Sequence, residues 1–204
     1  MNYFVTAIGT DSGKTVASAI LCKALMADYW KPVQAGYPTD SETVKSLIGT
    51  ARVHIHPEKF LFKTPASPHA AAAIESVQIS LKDFVVPHTL SKDLIIEGAG
   101  GCLVPLNDHD FVIDLAAKFE AQVILVSNLY LGSINHTLLT FEALKSRALF
   151  MKGIIFNGPP NAESERIILH HTRLRCLLRI APENNIDVTT IEKYSKALTN
   201  NWNG

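Results

Sequence analysis

The stretch that decides the fold is YFVTAIGTDSGKT, residues 3–15. A short apolar run at residues 3–5 leads into a loop that ends in Gly-Lys-Thr, and a helical pattern follows directly. Backbone N–H groups of such a loop and of the helix start attract phosphate groups, the Lys14 ammonium adds a positive charge, and the Thr15 hydroxyl can bind Mg²⁺. The segment therefore predicts a phosphate-binding loop between a buried strand and a helix.

This loop departs from the strict pattern G-x-x-x-x-G-K-[ST]. Ile8 stands five residues before Gly13, where the pattern has glycine, and Gly9 comes one position too late. Ala7 occupies the place where a loop longer by one residue would begin. The alternative is an ordinary glycine-containing turn, capped by Ser or Thr, before a helix. The position of Gly-Lys-Thr between a strand and a helix favours the phosphate-binding interpretation.

Three further short apolar runs, at 94–96, 123–126 and 153–156, resemble the first. They are too continuous for half-exposed strands and are typical of parallel strands buried on both faces. Between them, residues 15–27 and 133–147 carry apolar side chains at helical spacing. The alternation predicts an α/β fold, a mostly parallel sheet with helices on both faces in three layers.

The rest of the chain is harder to interpret. A weaker strand is expected at 176–180 and a terminal helix over about 187–199. The region 48–87 contains four prolines among short apolar patches, which predicts irregular structure with one or two helices.

Composition narrows the class of protein. The 204 residues carry 19 Lys+Arg against 19 Asp+Glu, so the net charge is zero and no nucleic-acid partner is expected. No apolar run approaches the ~20 residues of a membrane span, so no membrane association is expected either. Three well-separated cysteines without a C-x-x-C pattern indicate a reducing compartment. We expect a single cytoplasmic domain over residues 1–204.

Two charged residues follow other predicted strands. Glu97 ends the apolar run 94–96 and precedes a glycine-rich segment, and an acid at this place suits a Mg²⁺–nucleotide site. Lys31 follows the aromatic pair 29–30, where a second cation beside a phosphoryl group would neutralise charge. Each feature also has a simpler interpretation: the glycines after Glu97 could form an ordinary turn, and Lys31 could be a solvated surface residue. Asp40, a third candidate, could be the N-cap of a helix.

Seven motifs, taken in order, resemble the dethiobiotin synthetase family. They are GTDSGKT (9–15), KPVQAG (31–36), DSET (40–43), ASPH (66–69), EGAGGCLVPL (97–106), LGSINH (131–136) and FNG (156–158). The combination of KPVQAG, EGAGG and LGSINH is specific, whereas Gly-Lys-Thr alone is not. The resemblance implies a P-loop NTPase-like fold and ATP- and Mg²⁺-dependent closure of a cyclic urea, in which 7,8-diaminononanoate and CO₂ give dethiobiotin.

The resemblance also assigns a role to each matching position. It makes Lys14 and Lys31 the catalytic lysines, which hold the carbamate and the γ-phosphate, and it makes Thr15, Asp40 and Glu97 the Mg²⁺ ligands. The implied nucleotide contacts are Asp11, Ser12, Gly13, Lys14, Thr15, Val16, Gly98, Ala99 and Gly100 near the phosphates, and Asn157, Gly158, Pro182, Glu183 and Asn184 around the adenine. The implied substrate contacts are Thr10 and Ala35 in the same subunit, and Leu131, Gly132, Ser133, Ile134 and Asn135 from a neighbouring subunit. A homodimer with composite sites follows from this assignment.

The segment 131–136 also has an interpretation of its own. It predicts a turn into a helix with Ser133 as the N-cap, and such a helix end attracts carboxylates. The alternative is a capped helix that binds nothing.

Several positions depart from the family pattern. Ala7 replaces the glycine that opens the loop, and Ala35 replaces a serine whose hydroxyl could contact substrate or phosphate. Gly158 and Glu183 stand where other members carry a polar or aromatic contact to the base.

A regulatory or partitioning P-loop ATPase is the alternative function. The absence of an extra lysine near the loop start, together with KPVQAG, argues against it.

Overall fold

The computed structural model describes residues 1–202. Its strands are β1 (Asn2–Ala7), β2 (Asp28–Trp30), β3 (Val33–Ala35), β4 (Ile55–His56), β5 (Phe60–Phe62), β6 (Leu94–Glu97), β7 (Gln122–Asn128), β8 (Met151–Asn157) and β9 (Cys176–Ile180). Its helices are α1 (Lys14–Leu25), α2 (Asp40–Ile48), α3 (Pro68–Ile74), α4 (Asp114–Lys118), α5 (Ser133–Lys145), α6 (Ala162–Thr172) and α7 (Val188–Trp202), with a 3₁₀ turn at Leu81–Asp83.

Within residues 1–202, seven strands form one sheet in the order β4-β2-β6-β1-β7-β8-β9, and each described pair in it is parallel. β3 and β5 form a separate parallel pair. At the centre of the large sheet, Phe4 of β1 is in register with Ile96 of β6 and Val123 of β7, and all three are fully buried. Parallel neighbours need crossover connections, which the helices provide.

The core lies on both faces of this sheet. Tyr3 and Val5 of β1 pack with α1, α2 and α7 on one face, whereas Phe4 packs with α3, α4 and α5 on the other. Ile168 of α6 joins the second face through Leu125 of β7. Because alternate side chains of each central strand are buried on opposite faces, the strands need the continuous apolar runs that the sequence shows.

The predicted fold class is confirmed, and so are the main elements. The apolar runs at 94–96, 123–126 and 153–156 lie within β6, β7 and β8, and the weaker strand is β9. The helices expected at 15–27, 133–147 and 187–199 are α1, α5 and α7, with ends that differ by at most three residues. Region 48–87 contains α3 and the 3₁₀ turn, together with β4 and β5, which were not predicted because two or three residues give no periodic signal.

The last two residues of the predicted domain, Asn203 and Gly204, lie outside the described residues. In residues 1–202, no helix combines the length and the apolar character that crossing a bilayer requires.

Candidate active site

The site lies where the carboxyl ends of β1, β2 and β6 meet, since these strands are adjacent and parallel. Ligands of open α/β sheets bind outside this edge. A cavity of about 660 Å³ opens there. It is lined by Thr10, Asp11, Gly13, Lys14, Thr15, Val16, Lys31, Val33, Gln34, Ala35, Asp40, Pro65, Ala66, Ser67, Pro68, Glu97, Ala99, Gly100 and Val104. The structure thus brings together residues of five of the sequence motifs.

The loop after β1 is shaped by its last glycine. Gly13 precedes α1 with φ 93°, in the left-handed region, and a Cβ there would lie 2.3 Å from Nδ2 of Asn157. That amide nitrogen donates a hydrogen bond to the Ser12 carbonyl at 3.0 Å, and the Ser12 hydroxyl donates to the Gly9 carbonyl at 3.1 Å. Gly13 therefore allows a close approach that any side chain would prevent.

Lys14 points into this loop. Its Nζ donates to the Gly9 carbonyl at 3.2 Å and is largely buried. Burial lowers the pKa of Lys14 to about 8, and the positive charge of the nearby Lys31 adds to this effect. An anion in the cavity would stabilise the ammonium form, so the loop, the start of α1 and Lys14 together suit a phosphate group.

A second cation, Lys31, lies between two carboxylates. Its Nζ is 2.6 Å from Oδ2 of Asp40 and 3.1 Å from Oε1 of Glu97, and it also donates to the Gly98 carbonyl at 3.0 Å. The Thr15 hydroxyl lies within 2.9 Å of Oδ1 of Asp40 and 3.1 Å of Oε1 of Glu97. Strands β2 and β6, helix α2 and the start of α1 thus bring one ammonium, two carboxylates and one hydroxyl to a single point.

The charges in this group compensate one another. Burial alone would lower the pKa of Lys31, but the negative charges of Glu97 and Asp40 outweigh it and raise that pKa. Burial alone would raise the pKa of Asp40, but the Lys31 ammonium and its hydrogen bond lower it. Both residues are therefore ionised at neutral pH. Two carboxylates and a hydroxyl are hard oxygen donors, the ligand type that Mg²⁺ prefers, and a cation already lies between the carboxylates.

Two polar residues that the sequence analysis missed position these carboxylates. Tyr29, fully buried in β2, donates its hydroxyl proton to Oε2 of Glu97 at 3.0 Å. Burial and the Glu97 charge raise the pKa of the Tyr29 phenol well above its usual value, so the phenol keeps that proton. The side-chain oxygen of Gln34 accepts a hydrogen bond from the Asp40 backbone N–H at 3.2 Å. The only sequence signal was their proximity to Lys31.

The helix-cap alternative for Asp40 is wrong, because Thr39 is the N-cap of α2. Its hydroxyl accepts a hydrogen bond from the Glu42 N–H, and the Glu42 carboxylate accepts one from the Thr39 N–H, which forms a capping box. The Asp40 carboxylate is thereby left free to face Thr15 and Lys31.

The residues assigned to the adenine are not part of the cavity lining, although Asn157 contacts the loop beside it. Within residues 1–202, its lining does not include Asn157, Gly158, Pro182, Glu183 or Asn184. Asn157 ends β8 beside the loop and Gly158 follows it, whereas 182–184 follow β9, which β7 and β8 separate from β1. Lys193 and Tyr194 of α7 donate hydrogen bonds to the Glu183 carboxylate. Ser12 and Gly98 also fall outside the lining, although both support it through the contacts given above.

The segment before α5 is outside the cavity lining as well. Leu131 is fully exposed, whereas Ser133 is buried. The prediction that Ser133 caps α5 is wrong: the N-cap is Gly132, and no described residue forms a hydrogen bond with the Ser133 hydroxyl. Gly132 adopts φ 105°, a left-handed conformation that glycine accommodates without strain. The turn thus depends on glycine rather than on a serine cap.

Solved structures share this fold. A ParA family ATPase from Chlorobium tepidum superposes with a TM-score of 0.54 and 14% identity, covering 98% of this chain and 95% of that one. The cell division ATPase MinD from Pyrococcus furiosus gives a TM-score of 0.56 and 14% identity, with 98% of both chains covered. At this level of identity the likeness establishes the P-loop NTPase-like fold alone.

Sequence relatives are far more similar. A family model described as an AAA domain matches residues 1–190. An ATP-dependent dethiobiotin synthetase from Cytophaga hutchinsonii is 58% identical over 201 residues, which cover 98% of each chain. Another from Christiangramia forsetii is 46% identical over 197 residues, with 96% of this chain and 94% of the relative covered. The resemblance inferred from the motifs is confirmed: the chain belongs to the family of ATP-dependent dethiobiotin synthetases.

Proposed function

We propose that the protein is an ATP- and Mg²⁺-dependent cyclo-ligase that converts 7,8-diaminononanoate and CO₂ into dethiobiotin, with release of ADP and phosphate. The observation that carries this proposal is the meeting of Lys14, Lys31, Thr15, Asp40 and Glu97 in one cavity. The names of the full-length relatives support the same reaction. The partitioning ATPase alternative has only the shared fold in its favour.

The reaction needs two bond-forming steps after carbamate formation. One substrate amine adds to CO₂ and loses a proton, which gives a carbamate. A carbamate oxygen then takes the γ-phosphoryl group of ATP, and ADP leaves. The second amine attacks the carbamate carbon and loses a proton, the bond from that carbon to the phosphate-bearing oxygen breaks, and phosphate leaves as the ring closes. No covalent bond to the protein is required, so the side chains act by positioning and by charge stabilisation.

Each side chain has a part in this scheme. The loop N–H groups and Lys14 would hold the β- and γ-phosphates. Thr15, Asp40 and Glu97 would hold the Mg²⁺, which supplies positive charge to the phosphate oxygens. Lys31 lines the cavity beside the two carboxylates, and its ammonium would stabilise the carbamate and the transferring phosphoryl group there.

The proposal extends to assembly and location. We infer a homodimer in which Leu131, Gly132, Ser133, Ile134 and Asn135 of one subunit complete the substrate site of the other. The full exposure of Leu131, together with the exposed Tyr130 and with Leu139 in the middle of α5, supports an apolar contact along the first half of this helix. Adenine contacts at Asn157 and around Pro182, a single domain over 1–204, and a cytoplasmic location remain part of the same proposal.

The decisive experiment supplies purified protein with ATP, Mg²⁺, bicarbonate and 7,8-diaminononanoate. We expect one phosphate released for each dethiobiotin formed, and neither product when the diamine or Mg²⁺ is left out. A thermal-unfolding scan of the same preparation checks that the protein is folded. Phosphate release that ignores the diamine would overturn the ligase proposal and favour an ATPase.

A further inference from the structure

The Tyr29 hydroxyl is a buried polar group that the scheme above does not use. Tyr29 lies in β2 in register with Ile95 of β6, so the two side chains point to the same face of the sheet. Glu97 is two residues beyond Ile95 and shares that face. The Tyr29 side chain therefore extends toward the carboxyl end of β6, and its hydroxyl oxygen lies 3.0 Å from Oε2 of Glu97.

This contact gives the two carboxylate oxygens of Glu97 different surroundings. Oε1 faces the cavity, where the Lys31 ammonium and the Thr15 hydroxyl both lie 3.1 Å away. Oε2 points away from them and accepts the hydrogen bond from Tyr29. The Glu97 side chain is fully buried, so its rotation would cost the Tyr29 hydroxyl its acceptor inside the core.

A carboxylate held in this way can offer a cation one oxygen, not two. Mg²⁺ is small and octahedral, keeps several water ligands, and is bound through one or two protein carboxylates. Ca²⁺ is larger, takes six to eight oxygen ligands, and commonly binds both oxygens of a carboxylate. Ligand number and rigidity are the features by which a protein site distinguishes the two ions.

We propose that Tyr29 is a positioning residue that restricts Glu97 to a single-oxygen contact and thereby makes the site favour Mg²⁺ over Ca²⁺. This inference rests on the proposed function, which gives Glu97 to the cation. Tyr29 orients the Glu97 carboxylate, so removing its hydroxyl should change the ratio of Mg²⁺ affinity to Ca²⁺ affinity.

The test compares ion binding in the wild type and in Tyr29→Phe. Mg²⁺ and Ca²⁺ affinities are measured by titration calorimetry on the ADP-bound protein, where no turnover occurs. The variant frees Oε2, so we expect its Ca²⁺ affinity to rise relative to its Mg²⁺ affinity by roughly tenfold, equivalent to about 1.4 kcal/mol. The matched control is Tyr3→Phe, because Tyr3 is also buried but packs edge-on against Trp202 at the opposite end of the sheet.

If Tyr29 has a purely structural role, the variant would bind both ions more weakly by the same factor, and the ratio of the two affinities would not change. That result would overturn the inference and leave the proposed function intact. A wild type that binds neither ion would instead overturn the proposed metal site, and this inference with it.

A second measurement is made on the wild type, so it does not depend on how Tyr29→Phe folds. Infrared difference spectra of ¹³C-glutamate-labelled protein, with and without Mg²⁺, report the separation of the carboxylate stretching bands, which is wide for single-oxygen and narrow for two-oxygen binding. Glu97→Gln identifies the band. We expect a wide separation with Mg²⁺, and a narrow one would overturn the inference.

Discussion

Replacing Lys31 with methionine tests the charge balance of the site most directly. The ammonium contacts Asp40, Glu97 and the Gly98 carbonyl at 2.6, 3.1 and 3.0 Å, and the side-chain exposures are 4% for Lys31 and 0% for Glu97. Removing one partner of a buried ion pair costs about 3–5 kcal/mol. Because Asp40 keeps 30% exposure, we take the lower end, about 3 kcal/mol. For a protein of this size that corresponds to a fall in Tm of about 6–12 °C.

The same variant should also respond to Mg²⁺, with a change in Tm of the opposite sign. Without the ammonium, the carboxylates of Asp40 and Glu97 face each other across the Thr15 hydroxyl with no cation between them. Added Mg²⁺ would replace the missing charge and bind the folded state selectively. We therefore expect millimolar Mg²⁺ without nucleotide to raise the Tm of Lys31→Met by several degrees, and to leave that of the wild type nearly unchanged.

Thermal unfolding by circular dichroism at pH 7 measures both effects. The matched control is Lys196→Met, which removes the same charge from an exposed i,i+4 pair with Glu192. Such a pair contributes less than about 0.5 kcal/mol, so the control should lose under about 2 °C. A Lys31→Met protein that unfolds within 2 °C of the control, or that responds to Mg²⁺ as the wild type does, would refute this reasoning.

Two further predictions concern other parts of the molecule. Burial alone would raise the pKa of Asp28, but hydrogen bonds from the Ser91 hydroxyl and from the backbone N–H groups of Leu90, His54 and Ser91 outweigh it and lower that pKa. The Asp28 carboxylate therefore stabilises the folded state above its unfolded-state pKa of about 4, and this contribution is lost as the pH falls through the folded-state pKa. In urea unfolding, Asp28→Asn should be least stable relative to the wild type at pH 7. In strong acid the free energies of unfolding of the two proteins should be nearly equal. The Asn135→Asp variant places a negative charge at the helix end proposed to bind the substrate carboxylate. Mixing it with Lys31→Met should restore about a quarter of wild-type ligase activity. Half of the dimers formed would contain one of each variant, and each of these would carry one intact composite site out of two. Activity no greater than that of the separate variants would contradict the composite site.

Much of the fold was predictable because its signals are local. Parallel strands buried on both faces require the unbroken apolar runs that end at Val5 and Ile96, and loops that bind phosphate require glycine followed by Lys14 and Thr15. The predictions failed where the signal is short or depends on geometry. β4 and β5 are too short for a periodic pattern, and the start of α5 is set by the φ of Gly132 rather than by a serine cap.

The sequence by itself determined the α/β class, the phosphate-binding loop and the family, because each rests on residues close together in the chain or on motifs in a specific order. Only the tertiary structure decided which side chains meet. Tyr29 reaches Glu97 across 68 positions, and Thr15 reaches the same carboxylate across 82, because parallel pairing brings β2 and β6 side by side with α1 above them. The ionised state of Lys31 follows from that meeting, because the charges of Glu97 and Asp40 outweigh the effect of burial and raise its pKa.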